Sequence, residues 1–67
     1  MKTIGEKIRE SRARKNLTQA ELAEKSGLTI RTVSKYETET VVPRGRNLYK
    51  LAEVLGVSVQ WLLGIDE

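Results

Sequence analysis

The chain of 67 residues contains neither cysteine nor histidine. Without cysteine it can form no disulfide and no thiolate metal site. Without histidine, a zinc finger and a catalytic triad with an imidazole base are both excluded. No glycine-rich phosphate loop is present, and the carboxylates are scattered over helix surfaces. We therefore expect one small domain (residues 1–67) with no metal, no cofactor and no enzymatic activity, stabilised by packed helices.

Long apolar runs are also missing from the sequence. No stretch approaches the roughly 20 apolar residues that a membrane-spanning helix needs. The N-terminus carries Lys2 but lacks the hydrophobic segment of a signal peptide. These absences predict a cytoplasmic protein that has no membrane partner.

Charge is unevenly distributed along the chain. The 12 lysines and arginines exceed the 9 acidic residues, which gives a net charge of +3. Basic residues dominate 1–15 and 44–50, whereas every charged residue from position 51 onward is acidic. A polarised basic surface is typical of a protein that binds a polyanion, although ordinary solvated helix faces would give a similar net charge.

Apolar periodicity and capping residues predict five helices. Thr3 and Thr18 each begin a capping box, in which a glutamate follows three residues later. Segment 38–43 is rich in β-branched residues and lacks apolar periodicity, so we expect a loop there. The helices are predicted at about 4–14, 19–26, 30–37, 44–55 and, after Ser58, 59–63. The predicted fold class is all-α, a compact five-helix bundle.

The second and third predicted helices, together residues 18–37, form the most informative segment. The first of them is followed by Gly27, which suits a left-handed C-terminal position, and Thr29 is placed to cap the next. Two short helices joined by a glycine-containing turn are typical of a helix-turn-helix, whose second helix enters the DNA major groove. The residues that we expect to pack inward are Ala20, Leu22, Ala23 and Val33.

Polar side chains are predicted to form an outward stripe on the third helix. With Val33 inward, this stripe has the spacing i, i+3, i+4, i+7 and consists of Arg31, Ser34, Lys35 and Thr38. Arg31 can donate two hydrogen bonds to one guanine, and Ile30 at the flank can pack on a thymine methyl group. Any amphipathic helix shows an outward polar stripe, so it is the position after a capped helix and a glycine turn that favours base reading.

The whole pattern resembles the phage Cro and repressor family of helix-turn-helix proteins. The resemblance rests on IGEKIRESR, LTQAELAEKSGLT, VSKYE, the Pro43 loop, LYKLAEVLGVS and WLL, which together cover the chain from Ile4 to Leu63. It implies a lambda-repressor-like five-helix bundle that binds a pseudo-palindromic operator as a dimer and represses transcription. The recognition helix would span about residues 29–37.

The resemblance also implies roles for individual residues. Base reading is implied for Ile30, Arg31 and Lys35, with Ser34 as a further candidate. Phosphate contacts are implied for Thr18, Gln19, Arg12, Thr38, Arg44 and Arg46. Arg12 also matches a family ion pair with Glu37, and we favour this pair because Glu37 falls near the inward face and needs a partner there.

One residue departs from the family pattern at the end of the recognition helix. The family often has glycine in a left-handed conformation where this chain has Glu39. A glutamate is strained in that conformation, so we expect the loop after the helix to differ.

The C-terminal segment is predicted to supply a dimer contact. Val59, together with Val57, matches a family dimer position and is expected to be exposed in a monomer. Because this patch is small, we expect a weak homodimer that is strengthened on DNA, with recognition helices about 34 Å apart. Trp61 is expected in the core, and Tyr36 and Tyr49 half-buried.

A protein-interaction module of the same fold, such as an antitoxin, is the alternative function. The outward stripe favours double-stranded DNA as the partner, because a protein-binding surface would expose more aromatic or aliphatic residues.

Overall fold

The computed structural model describes residues 2–39 and 41–65. Within these ranges it contains five helices and no strand: α1 (Ile4–Arg14), α2 (Gln19–Ser26), α3 (Ile30–Thr38), α4 (Gly45–Leu55) and α5 (Val59–Leu63). The all-α prediction is confirmed, with two boundaries shifted by one residue. Helix α3 continues to Thr38, and α4 begins at Gly45 because the backbone of Arg44 is extended.

Capping residues fix where the helices begin and end. Both capping boxes form: the hydroxyl of Thr3 accepts from the Glu6 amide at 3.1 Å, and Thr18 accepts from Glu21 at 3.0 Å. Each glutamate side chain accepts in return from the amide of its threonine, in both cases at 2.8 Å. Glycines with positive φ end α2, α4 and α5, so these helices end at the glycines that the sequence predicted.

The core is built from the inward faces of all five helices. It consists of Ile8, Leu22, Ala23, Val33, Tyr36, Leu48, Leu51, Ala52, Leu55 and Leu62. Helix α3 packs chiefly against α1 and α2, so its inner side is held by the two helices that precede it. Burial of each large aliphatic side chain contributes about 1.5–3 kcal/mol, which is why these positions determine how α3 is oriented.

Two predictions of burial were wrong for the same geometric reason. Ala20 is exposed, and Tyr49 is 68% exposed where a half-buried ring was expected. At about 100° per residue, each lies roughly 110° from the centre of its helix's core-facing side. Tyr36, by contrast, is more deeply buried than expected.

Trp61 lies at the edge of the core, partly buried and packed against it. Lys7 of α1 donates a hydrogen bond to the Trp61 carbonyl at 2.6 Å, and its ammonium lies 5.1 Å from the centre of the ring. The Arg14 guanidinium lies 6.0 Å from the same centre. Cation–π contacts of this kind add to the apolar packing that holds α5 against α1.

Helices α1 and α3 approach each other closely at Gly5, which is buried. A β-carbon added there would lie 2.5 Å from the Tyr36 carbonyl oxygen and 2.8 Å from that of Glu37. Only a residue without a side chain allows α1 to come this close to the last turn of α3.

Candidate nucleic-acid interface

The outward face of α3 carries the predicted polar stripe. Arg31, Lys35 and Thr38 are exposed, Ser34 is partly buried and Ile30 is 53% exposed. The opposite face consists of Val33, Tyr36 and Glu37, all of which are buried. Among the described residues, neither Arg31 nor Lys35 forms an ion pair, so both cations are available to an external ligand.

The start of α3 is fixed by two threonines. The Thr29 hydroxyl accepts a hydrogen bond from the Thr32 amide at 3.1 Å, and the two hydroxyl oxygens lie 2.9 Å apart. The first turn, which carries Ile30 and Arg31, is therefore held by a side-chain cap. Sequence reasoning identified Thr29 as the cap but missed the contribution of the Thr32 hydroxyl.

A single carboxylate joins the three N-terminal helices on the inner side of α3. Arg12 of α1 donates to both oxygens of Glu37, from Nε at 2.7 Å and from Nη2 at 3.1 Å. Gln19 of α2 donates its amide to the same carboxylate at 3.0 Å. The side chain of Glu37 is 1% exposed and that of Arg12 is 18% exposed. The predicted ion pair is present, and Gln19 is a third member of the group.

This cluster has consequences for the charge of Arg12. The hydrogen bond to Glu37 raises the pKa of the Arg12 guanidinium, so the cation is held in its charged form. Arg12 also donates from Nη1 to the Leu17 carbonyl at 2.9 Å. A guanidinium has five N–H donors, which leaves Arg12 able to donate further to an external acceptor.

The remaining phosphate candidates lie at helix ends. Thr18 is exposed at the cap of α2, and the Thr38 hydroxyl donates to the Ser34 carbonyl at 2.8 Å, within its own helix. Arg44 and Arg46 are exposed at the start of α4, where no side chain caps the helix. The first backbone N–H groups of α4 consequently have no side-chain acceptor, which favours an anion there.

The recognition-helix candidate is followed by Glu39, which is not left-handed. Glu39 has φ −114° and ψ 162°, an extended conformation in which a glutamate is not strained. The glycine turn typical of the family is replaced by an extended exit from α3. This agrees with the prediction that the loop differs here; Thr40 lies outside the described residues.

Comparison with known proteins places the chain in a family. The helix-turn-helix model HTH_3 matches residues 8–62. The chain belongs to this helix-turn-helix family. It is 40% identical over 65 residues to the HTH-type transcriptional regulator DicA of Escherichia coli (strain K12). This alignment covers 97% of this chain and 48% of DicA. The chain therefore spans about half the length of the curated relatives it matches.

Solved structures agree with the helix-turn-helix bundle. The P22 c2 repressor in complex with synthetic operator 9T has a TM-score of 0.92 and 32% identity, and the alignment covers 98% of this chain and 100% of that one. The biofilm regulator SinR in complex with DNA has a TM-score of 0.85 and 37% identity, and the alignment covers 91% of this chain and 98% of the SinR chain in that structure. The resemblance to a repressor-type helix-turn-helix domain and the five-helix fold are both confirmed.

The two valines predicted to mediate dimerisation lie at the edge of this helix-turn-helix bundle. Val57 and Val59 are partly buried and pack against the core, so Val59 is less exposed than the sequence suggested. Each can offer only part of its surface to a partner.

Neither a metal site nor a membrane-spanning helix is found in the described part of the helix-turn-helix domain. No group of histidine, cysteine, aspartate or glutamate side chains in residues 2–39 and 41–65 could hold an ion. None of the described helices has both the length and the apolar character needed to cross a bilayer.

Proposed function

We propose that this chain binds double-stranded DNA in a sequence-specific manner and represses transcription at the sites it occupies. Two similar proteins, the P22 c2 repressor and SinR, were solved in complex with DNA, and DicA is a transcriptional regulator. The observation that carries the proposal is the arrangement of α3: its outward face presents exposed cations, while its inner face is tied to α1 and α2 through Glu37.

In this proposal α3, with its cap at about residues 29–37, lies in the major groove of a pseudo-palindromic operator. Arg31 donates two hydrogen bonds to guanine O6 and N7, and Lys35 reaches a second guanine or a phosphate. Ser34 donates or accepts at a neighbouring base edge. Ile30 is exposed near the N-terminus of the helix, where it can contact a thymine methyl group.

Phosphate contacts on either side of α3 would fix its position on the duplex. At the first side, Thr18 and Gln19 at the start of α2 join Arg12. At the other, Arg44 and Arg46 flank the uncapped start of α4. Thr38 contributes if its hydroxyl turns from the Ser34 carbonyl towards a phosphate oxygen.

A two-fold operator requires two copies of the domain. We infer that Val57 and Val59 form a weak dimer contact that is strengthened on DNA, because both valines are already partly buried within one copy. Sedimentation without DNA should show a monomer at nanomolar concentration and a dimer on the operator. A tight dimer without DNA at nanomolar concentration would contradict this inference.

Selection of binders from a pool of random duplexes tests the proposed function most directly. We expect a consensus with two half-sites about one helical turn apart. Arg31→Ala should then lose about 1–3 kcal/mol of binding free energy on that consensus and discriminate less between bases at one base pair. Gln19→Ala should weaken binding to all sequences more evenly, because Gln19 is proposed to contact a DNA phosphate and not a base.

Two outcomes would overturn the assignment. If Arg31→Ala and Gln19→Ala changed binding to consensus and random DNA equally, α3 would not be the reading helix. If no consensus emerged, a protein-binding module such as an antitoxin would be the better description. As a DNA-binding regulator, the chain is expected to act in the cytoplasm without a cofactor or catalytic activity.

A further inference from the structure

The proposed interface is built from two helices that both pack against α1 and α2, and α4 packs against α5 as well. Both helices must meet the same duplex, since α3 would read bases while Arg44 and Arg46 at the start of α4 would contact phosphates. The relative placement of α3 and the start of α4 therefore decides whether both sets of contacts can form together.

The segment that connects these helices gives little support to their relative placement. Glu39 and Arg44, at its two ends, both have extended backbones. Val41, Val42 and Pro43 make no backbone hydrogen bond to any other described residue, and of these three only Pro43 is buried. A direct connection between α3 and α4 would add to the placement that their shared packing against α1 and α2 provides.

One hydrogen bond provides that connection. The Asn47 side-chain amide donates to the Tyr36 hydroxyl at 2.9 Å, and this is the one side-chain hydrogen bond between α3 and α4 among the described residues. Tyr36 lies in the last turn of α3 with its ring buried, and Asn47 lies in the first turn of α4. The bond joins the end of the reading helix directly to the turn that begins with Gly45.

We propose that Tyr36 and Asn47 are positioning residues, which hold the start of α4 at a fixed distance from the recognition helix. This inference rests on the proposed function and assigns a role within it. A phenylalanine at position 36 would fill the same buried space, so the hydroxyl is needed for the bond and not for the packing. Without the bond, core packing such as that of Leu48 is what remains to hold the first turn of α4. A small shift of that turn would move its phosphate contacts out of register with the bases that α3 reads.

The test compares three variants with a matched control. Tyr36→Phe, Asn47→Ala and the double variant each remove the bond. Tyr49→Phe removes the same hydroxyl from an exposed ring on α4, for which no hydrogen bond is described. Operator affinity is measured over a series of salt concentrations, well below the unfolding temperature, and thermal unfolding is recorded for each protein.

We expect each single variant to bind the operator about two- to twelve-fold more weakly, as the loss of one hydrogen bond predicts. The dependence of affinity on salt should become shallower by about one phosphate contact per subunit, while the preferred sequence stays the same. The double variant should lose no more than either single variant, because all three remove one bond. Tyr49→Phe should bind like the original protein.

Three results would overturn the inference while leaving the proposed function intact. The first is additive losses in the double variant, which would mean that the two side chains act separately. The second is a lowered unfolding temperature with unchanged affinity and salt dependence, which would make the bond merely structural. The third is an equal loss for Tyr49→Phe. Failure of the original protein to select any DNA sequence would instead refute the proposed function itself.

Discussion

Substitution of Gly5 offers a sharp test of how α3 is positioned. In Gly5→Ala the new methyl carbon would lie 2.5 Å from the Tyr36 carbonyl oxygen. This is about 0.8 Å less than the shortest ordinary carbon–oxygen contact, about 3.3 Å. The oxygen belongs to the backbone of α3 and cannot rotate away as a side chain would. Helices α1 and α3 must therefore move apart by nearly this amount.

The loss of stability in Gly5→Ala is the balance of two opposing effects. Overpacking of this kind destabilises a domain by about 1–3 kcal/mol. Alanine favours a helix over glycine by up to about 1 kcal/mol, and by less in a first turn. We expect the free energy of unfolding to fall by about 1–2 kcal/mol, which lowers the unfolding midpoint by about 4–16 °C in a domain of this size. Operator affinity should fall as well, because the displaced turn carries Tyr36 and Glu37.

Denaturant unfolding and operator titration of the same sample measure both effects. Gly64→Ala is the matched control: Gly64 has φ 77°, and an added β-carbon would lie 3.7 Å from Lys7 Nζ, an ordinary contact. That variant should lose stability through backbone strain alone and keep its affinity for a duplex with a single half-site, since α3 packs chiefly against α1 and α2 and the dimer contact proposed at Val59 is not used there. Gly5→Ala with unchanged stability and affinity would refute the argument that this close approach positions the reading helix.

Two further predictions concern acidic residues. Glu37→Ala should lower the free energy of unfolding by about 2–4 kcal/mol, because it leaves Arg12 mostly buried without its anion; urea denaturation showing a loss below about 1 kcal/mol would contradict this. For Glu6, the hydrogen bond from the Thr3 amide lowers the pKa of the carboxyl in the folded state. The stability that ionised Glu6 contributes is therefore fully present at a pH above about 4.3, the pKa of this carboxyl in the unfolded chain. It is lost as the pH falls through the lower pKa of the folded protein. Glu6→Gln should flatten this acid-induced loss in a pH series of thermal unfolding. The control Glu24→Gln, at an exposed position with no described hydrogen bond, should leave the acid-induced loss unchanged. Identical pH profiles for the two variants would reject the role given to Glu6.

Local signals explain why the helices could be predicted from the sequence. A threonine followed three residues later by glutamate satisfies backbone donors within one turn, so Thr3 and Thr18 mark helix starts wherever the rest of the chain lies. The inward position of Glu37 could also be predicted, because helical periodicity placed this carboxylate beside Val33. A buried carboxylate needs a partner, which indicated a cation nearby. Arg12 was the partner that the family resemblance suggested, and the structure confirms it.

Other features depend on how helices meet, which periodicity alone does not specify. Ala20 lies two positions before the core residue Leu22, and Tyr49 directly follows the core residue Leu48, yet both side chains lie outside the buried face of their helix. The approach at Gly5 and the bond from Asn47 to Tyr36 involve residues 31 or more and 11 positions apart, with no pattern linking them. Such contacts follow from the crossing of two helices, and only the folded arrangement reveals them.

The division of α3 into two faces has a consequence for how the domain could change its target. Glu37 and its hydrogen-bond donors lie on one side of the helix, and Arg31 and Lys35 lie on the other with no described ion pair. Replacing the outward residues therefore leaves the attachment of the helix untouched and costs the fold little stability. With α3 as the proposed recognition helix, a few substitutions on its outward face would change the DNA sequence that is bound and leave the scaffold as it is.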